Sequence, residues 1–170
     1  MKKLLVVVDM QNDFVTGPLG GEAAAKILPA MKERLERARK EGEEIVFTRD
    51  THGEEYLSTQ EGRKLPVLHC VKGSYGWQIA DGLRREGEKI FDKPAFGSVA
   101  LAEYIADGKF SEAEFIGVCT DICVVSNAIL AKAYAPETEI TVDGGLCAGT
   151  SEKAHEAALS TMRSCQITVR

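Results

Sequence analysis

Three observations predict an α/β fold built on a mostly parallel, six-stranded sheet. Short apolar runs alternate with segments of helical period along most of the 170 residues. The first run, Leu4 to Val8, is apolar at every position, as in a strand buried on both faces. Polar residues able to do chemistry recur just past the ends of the runs, where open parallel sheets place their sites. The length suits one domain with a substantial core, and residues 1–170 read as a single domain.

The elements follow in order. MKKLLVVVDMQNDF begins like a secretory leader, but its apolar run stops at Asp9 and no small-residue cleavage site follows, so it predicts a strand. From Ala23 to Glu41, Ile27, Leu28, Met31, Leu35 and Ala38 recur at helical spacing, and Gly42 is a stop signal. EIVFT (44–48) predicts the second strand and KIFDK (89–93) a weaker third. EFIGVC (114–119), EITVD (139–143) and CQITV (165–169) predict the fourth, fifth and sixth. Helical patterns fill 98–107, 122–135 and 151–163. Such alternation implies right-handed crossovers between parallel strands. The exception is an irregular insert at about 50–88, with Gly, Pro and Tyr and weak periodicity. A long irregular insert is more often functional than idle.

Composition narrows the partners. A formal charge of −5 without a basic cluster points away from nucleic acid and anionic membranes. No apolar stretch is long enough to span a bilayer. The five cysteines are odd in number, scattered and free of C-x-x-C pairs, which suits a reducing cytoplasm better than a disulfide framework. Sequence does not give the oligomeric state; a homo-oligomer is common on such sheets.

The strand-end residues are Asp9, then Asp50 and His52, then Lys93, then Cys119 to Cys123, then Asp143. A strand order of 3-2-1-4-5-6 would bring Asp9 beside the cysteine turn; periodicity alone cannot supply that order. Cys123 falls at the first turn of a helix that Thr120 or Asp121 can cap. Free N–H groups there lower a thiol pKa and can bind an oxyanion. Taken alone, Cys123 equally suits a buried structural cysteine. Asp9 alone suits a turn and Lys93 alone a solvated surface. Together they make a nucleophile, a base and a cation that keeps the base ionised. Asp50, His52 and His69 form a two-histidine, one-carboxylate set for Zn²⁺, Mn²⁺ or Fe²⁺, or else loop histidines making hydrogen bonds. His155, in the last helical segment, reads as a surface residue.

VVVDMQNDF, TRDTH, LPVLHCVKG, DKPAFGS and GVCTDICV occur in an order that resembles the isochorismatase-like cysteine hydrolases, above all their nicotinamidase branch. The resemblance spans nearly the whole chain. It implies a Rossmann-like α/β sheet, expected here as a three-layer sandwich with the assumed strand order 3-2-1-4-5-6. It implies Cys123 as nucleophile, Asp9 as base and Lys93 as the third member of a triad. It also implies a cis peptide between Val118 and Cys119, with the backbone N–H groups of Cys119 and Cys123 as an oxyanion hole. The branch's metal set maps onto Asp50, His52 and His69, with Glu61 or Glu55 as a fourth ligand. The expected activity is cleavage of a small carboxamide, with release of ammonia through a thioester.

Two departures bear on the substrate. Nicotinamidases commonly carry a tryptophan three residues before the histidine of LPVLHC, and here that position is Pro66. Their histidine-rich stretch is replaced by GEEYLSTQEGRKL. Phe14, Trp77 and Phe96, with Tyr75, are then the expected aromatic wall. A non-pyridine amide or carbamoyl substrate is the alternative within the family. A phosphatase of the haloacid-dehalogenase type needs an acid where Gln11 stands, which disfavours it. A non-enzymatic, redox-responsive or partner-binding protein is the rival of a different class.

Overall fold

A computed structural model describes residues 2–170. The sheet has six strands in the order β3-β2-β1-β4-β5-β6, and every neighbouring pair is parallel. They are β1 (Lys3–Val8), β2 (Glu44–Asp50), β3 (Lys89–Lys93), β4 (Glu112–Val118), β5 (Glu139–Ala148) and β6 (Thr168–Val169). Helices α1 (Asn12–Val15), α2 (Glu22–Glu41), α3 (Gln60–Lys64), α4 (Val99–Gly108), α5 (Val125–Tyr134) and α6 (Glu152–Ser164) connect them.

The three layers follow from strand alternation. In β1, Leu4, Val6 and Val8 join a core with Leu101 and Ile105 of α4, Ala128 of α5 and Met162 of α6. Leu5 and Val7 point the other way, into a core with Met31, Leu35 and Ala38 of α2. Fully burying a side chain such as Leu35 contributes about 1.5–3 kcal/mol, so both cores depend on β1 being apolar throughout. The starts of α4 and α6 are capped by short polar side chains: Ser98 Oγ accepts from the Leu101 N–H, and Ser151 Oγ from the Ala154 N–H.

Three sequence expectations change. The fifth strand does not end at Asp143. It runs on to Ala148 around an irregularity, with Phe115 pairing to Val142 and Gly117 to Cys147. Asp143 therefore lies mid-strand, where its carboxylate accepts from the Gly145 N–H, away from the strand ends. The sixth strand is shorter than expected, because Cys165 and Gln166 form the turn out of α6. Finally, the chain enters α5 through a π-helical turn, Thr120–Val124, not through a capped first turn. Thr120 and Asp121 cap nothing, because their side chains are engaged elsewhere.

Candidate active site

β1 and β4 are neighbours, so Asp9 and the cysteine turn meet at the carboxyl end of the sheet. The chain turns at Asp9 with φ of 50°, a left-handed conformation that aspartate tolerates better than most residues. Thr48, from β2, fixes it: the Thr48 hydroxyl donates to Asp9 Oδ1 at 2.6 Å and lies 3.2 Å from the Asp9 N–H. Lys93, the last residue of β3, reaches back across β2. Its Nζ lies 2.7 Å from Asp9 Oδ2, 3.4 Å from Cys123 Sγ and 3.4 Å from Asp50 Oδ1. Asp9 and Lys93 are 0% and 1% exposed, so this ion pair is hardly screened by water.

The electrostatics decide the protonation states. Burial pushes the Cys123 thiol well up, Asp9's charge adds to that, and Lys93 only partly opposes it. The expected lowering by a helix start and a cation is outweighed, and the resting group is the neutral thiol. Burial also raises Asp9 above the ordinary carboxylate range, against the pull of Lys93. Lys93 itself is held up: burial disfavours its charge, but Asp9, Cys123 and Asp50 outweigh burial. A protonated thiol thus stands in the field of a carboxylate that binds protons more readily than usual.

The Val118–Cys119 peptide is cis. The Cys119 carbonyl accepts from the N–H groups of Ile122 and Val124, which closes the turn that carries Cys123. Burial pushes the Cys119 thiol up to about 12, with the charges of Asp121 and Asp9 adding to it. Gly117 has φ of 123°, and a Cβ there would collide with the Val8 carbonyl, so the close approach of β4 to β1 requires glycine. Two side chains hold the turn from outside. Thr120 Oγ1 lies 2.8 Å from His155 Nδ1, and Asp121 accepts from the Thr150 N–H at 2.8 Å and hydroxyl at 2.6 Å. His155 is therefore half-buried and anchored to the turn, not a free surface residue.

Beside the triad, Asp50, His52, Glu61 and His69 place donor atoms within 4.8 Å of one another. His52 Nε2 is 2.9 Å from Asp50 Oδ2 and 3.7 Å from Glu61 Oε1, and His69 Nε2 is 3.4 Å from Asp50 Oδ2. His69 Nδ1 donates to the Val67 carbonyl at 2.7 Å, which leaves Nε2 facing the cluster. Burial would raise Asp50, but His52, His69 and Lys93 together hold it well below the ordinary carboxylate range. Two imidazoles with converging Nε2 atoms, two carboxylates and an oriented second nitrogen fit a divalent ion. Of the two glutamates considered for the fourth ligand, Glu61 joins the cluster and Glu55 does not.

A cavity of about 230 Å³ opens over Cys123. Phe14 and Phe96 line it with Leu19, Leu65, Ile122 and Thr150. Trp77 does not, because its ring stacks on Arg49 at 3.5 Å and its Nε1–H donates to Thr51 Oγ1 at 2.8 Å. Tyr75 is largely exposed, and so is Pro66. Sequence reasoning missed the residues that hold the parts together. Gln11 bonds the Asp50 backbone on both sides, donating to its carbonyl at 2.9 Å and accepting from its N–H at 2.7 Å. Asp13 accepts from the Cys70 N–H at 2.7 Å and so ties the insert next to His69 to α1. Both stand in the quoted DMQNDF, but their type alone does not identify them as ties.

Known proteins share this fold. Residues 3–170 match the isochorismatase domain model. A curated relative, the nicotinamidase/pyrazinamidase of Mycobacterium tuberculosis, is 28% identical over 97% of this chain and 96% of its own. The solved pyrazinamidase of Pyrococcus horikoshii in complex with zinc superposes with a TM-score of 0.88 at 27% identity, covering 100% of this chain and 99% of its own. The N-carbamoylsarcosine amidase of Thermoplasma acidophilum does so with a TM-score of 0.80 at 27% identity, covering 100% and 96%. The chain belongs to the isochorismatase family, on its nicotinamidase-like branch.

Proposed function

We propose that this protein is a cysteine amidohydrolase that cleaves a small primary carboxamide to an acid and ammonia. The observation that carries the reading is the contact of Lys93 with both Asp9 and Cys123 in a buried site beneath a cavity. Asp9 takes the Cys123 proton as sulfur attacks the carbonyl carbon. The backbone N–H groups of Cys119 and Cys123 hold the tetrahedral oxyanion. Asp9 returns the proton to the departing amine, so ammonia leaves and a thioester remains. Asp9 then takes a proton from water, hydroxide attacks the thioester, and the sulfur leaves to be reprotonated. Lys93 orients Asp9 and balances the negative charge that moves between oxygen and sulfur.

Asp50, His52, Glu61 and His69 would hold a divalent ion, zinc foremost, with manganese and iron as alternatives. Such an ion, when bound, supplies a Lewis acid that orients a ring nitrogen or another donor of the substrate. Phe14 and Phe96 flank the substrate. A carbamoyl compound is the second reading, favoured by the likeness to the N-carbamoylsarcosine amidase and by the exposed Pro66. Screening pyridine carboxamides, aliphatic carboxamides and N-carbamoyl compounds for ammonia release tests the reading. Release from none of them overturns it.

A further inference from the structure

A second cavity, of about 320 Å³, adjoins the one over Cys123. Phe14, Leu19, Cys119 and Thr150 line both and so form the neck between them. Beyond the neck, the start of α2 supplies one wall, and Val118, Ala148 and Gly149 at the ends of β4 and β5 supply the other. The first cavity alone falls below the ~300–1,000 Å³ usual for small-molecule sites, and the two together fall within it.

The neck carries no charge. Phe14 and Leu19 present carbon, the Thr150 hydroxyl is committed to Asp121, and the Cys119 thiol stays neutral at physiological pH. No lysine or arginine lines either cavity. The one charged side chain of the second cavity is Glu22, exposed at its edge and 3.6 Å from Lys26. Resting on the hydrolase reading above, we infer that the second cavity is a substrate subsite for an uncharged, largely apolar extension of the carboxamide. The amide end lies over Cys123, and the extension passes the neck between Phe14 and Thr150. An anionic extension finds no cationic side chain there, only the partial positive charge of the α2 N-terminus, which Glu22 offsets.

The test uses linear primary carboxamides of increasing chain length, each paired with an analogue ending in carboxylate. The readouts are kcat/KM by ammonia release with the wild-type protein and Kd by calorimetry with Cys123→Ala. Each methylene buried beyond the neck should improve both by about four-fold, and the terminal carboxylate should erase that gain. Ala23→Phe, an exposed position on the wall of the second cavity, should lower the preference for long over short amides by ten-fold or more. A flat or falling length dependence overturns the subsite. So does a preference that Ala23→Phe leaves unchanged. If no amide is turned over, the hydrolase reading falls, while the calorimetric series still decides the subsite.

Discussion

In the proposed mechanism Asp9 should carry most of the pH dependence. Burial raises its pKa above the ordinary carboxylate range, while Lys93 pulls it back. Activity needs Asp9 ionised, so it should fall as pH drops through that raised value. Lys93→Ala removes the lowering influence, so the acid limb of kcat/KM should move to higher pH as the rate falls. An unmoved limb would separate Lys93 from Asp9. Asp9→Asn keeps the shape and removes the base, and acylation should slow by ~10²–10⁴-fold, measured as single-turnover ammonia release. Cys119→Ala should keep most activity, because the proposed mechanism uses only the Cys119 backbone. At this scale the three residues of the proposed triad were legible as candidates in the sequence, because Asp9 follows β1, Lys93 ends β3 and Cys123 lies in the turn into α5. The protonation of Cys123 was not legible. Its helix-start position argued for a low pKa, but the burial that outweighs it exists only in the folded packing.

The elements around the site carry two further expectations. The end of β2 and the insert after it bring Asp50, His52, Glu61 and His69 together. One divalent ion per chain should be found by elemental analysis of untagged protein, and His52→Ala combined with His69→Ala should remove it. Unchanged metal content would dissolve the site. The π-helical turn is held by Thr120 and His155. His155→Ala leaves the fully buried Thr120 hydroxyl without that partner, and the loss should be about 1–3 kcal/mol in denaturant unfolding. Stability equal to wild type would mean that the turn does not depend on this bond. Helix positions were readable from the 3.6-residue period. The π turn was not, because Thr120 and Asp121 have cap-forming side chains, and only tertiary partners from α6 and the loop before it divert them. The run of β5 past Asp143 was likewise hidden, since Gly144 and Gly145 interrupt the apolar run of EITVD.

For the whole molecule, the strand order is what assembles the site. β1 at the centre has β2 on one side and β4 on the other, so Asp9 gains Thr48 from one neighbour and the cysteine turn from the other. The order 3-2-1-4-5-6 was beyond periodicity and stood as an assumption, which the order of the six strands bears out. No helix among the described residues is long and apolar enough to cross a membrane. The central claim is that Cys123 forms a thioester with the acyl part of a carboxamide. Mass spectrometry of acid-quenched protein during turnover tests it most directly. The account predicts an adduct equal to the substrate minus ammonia, located on the peptide containing Cys123, and neither adduct nor ammonia release in Cys123→Ala. Sustained ammonia release by Cys123→Ala, or an adduct located on another residue, would contradict it.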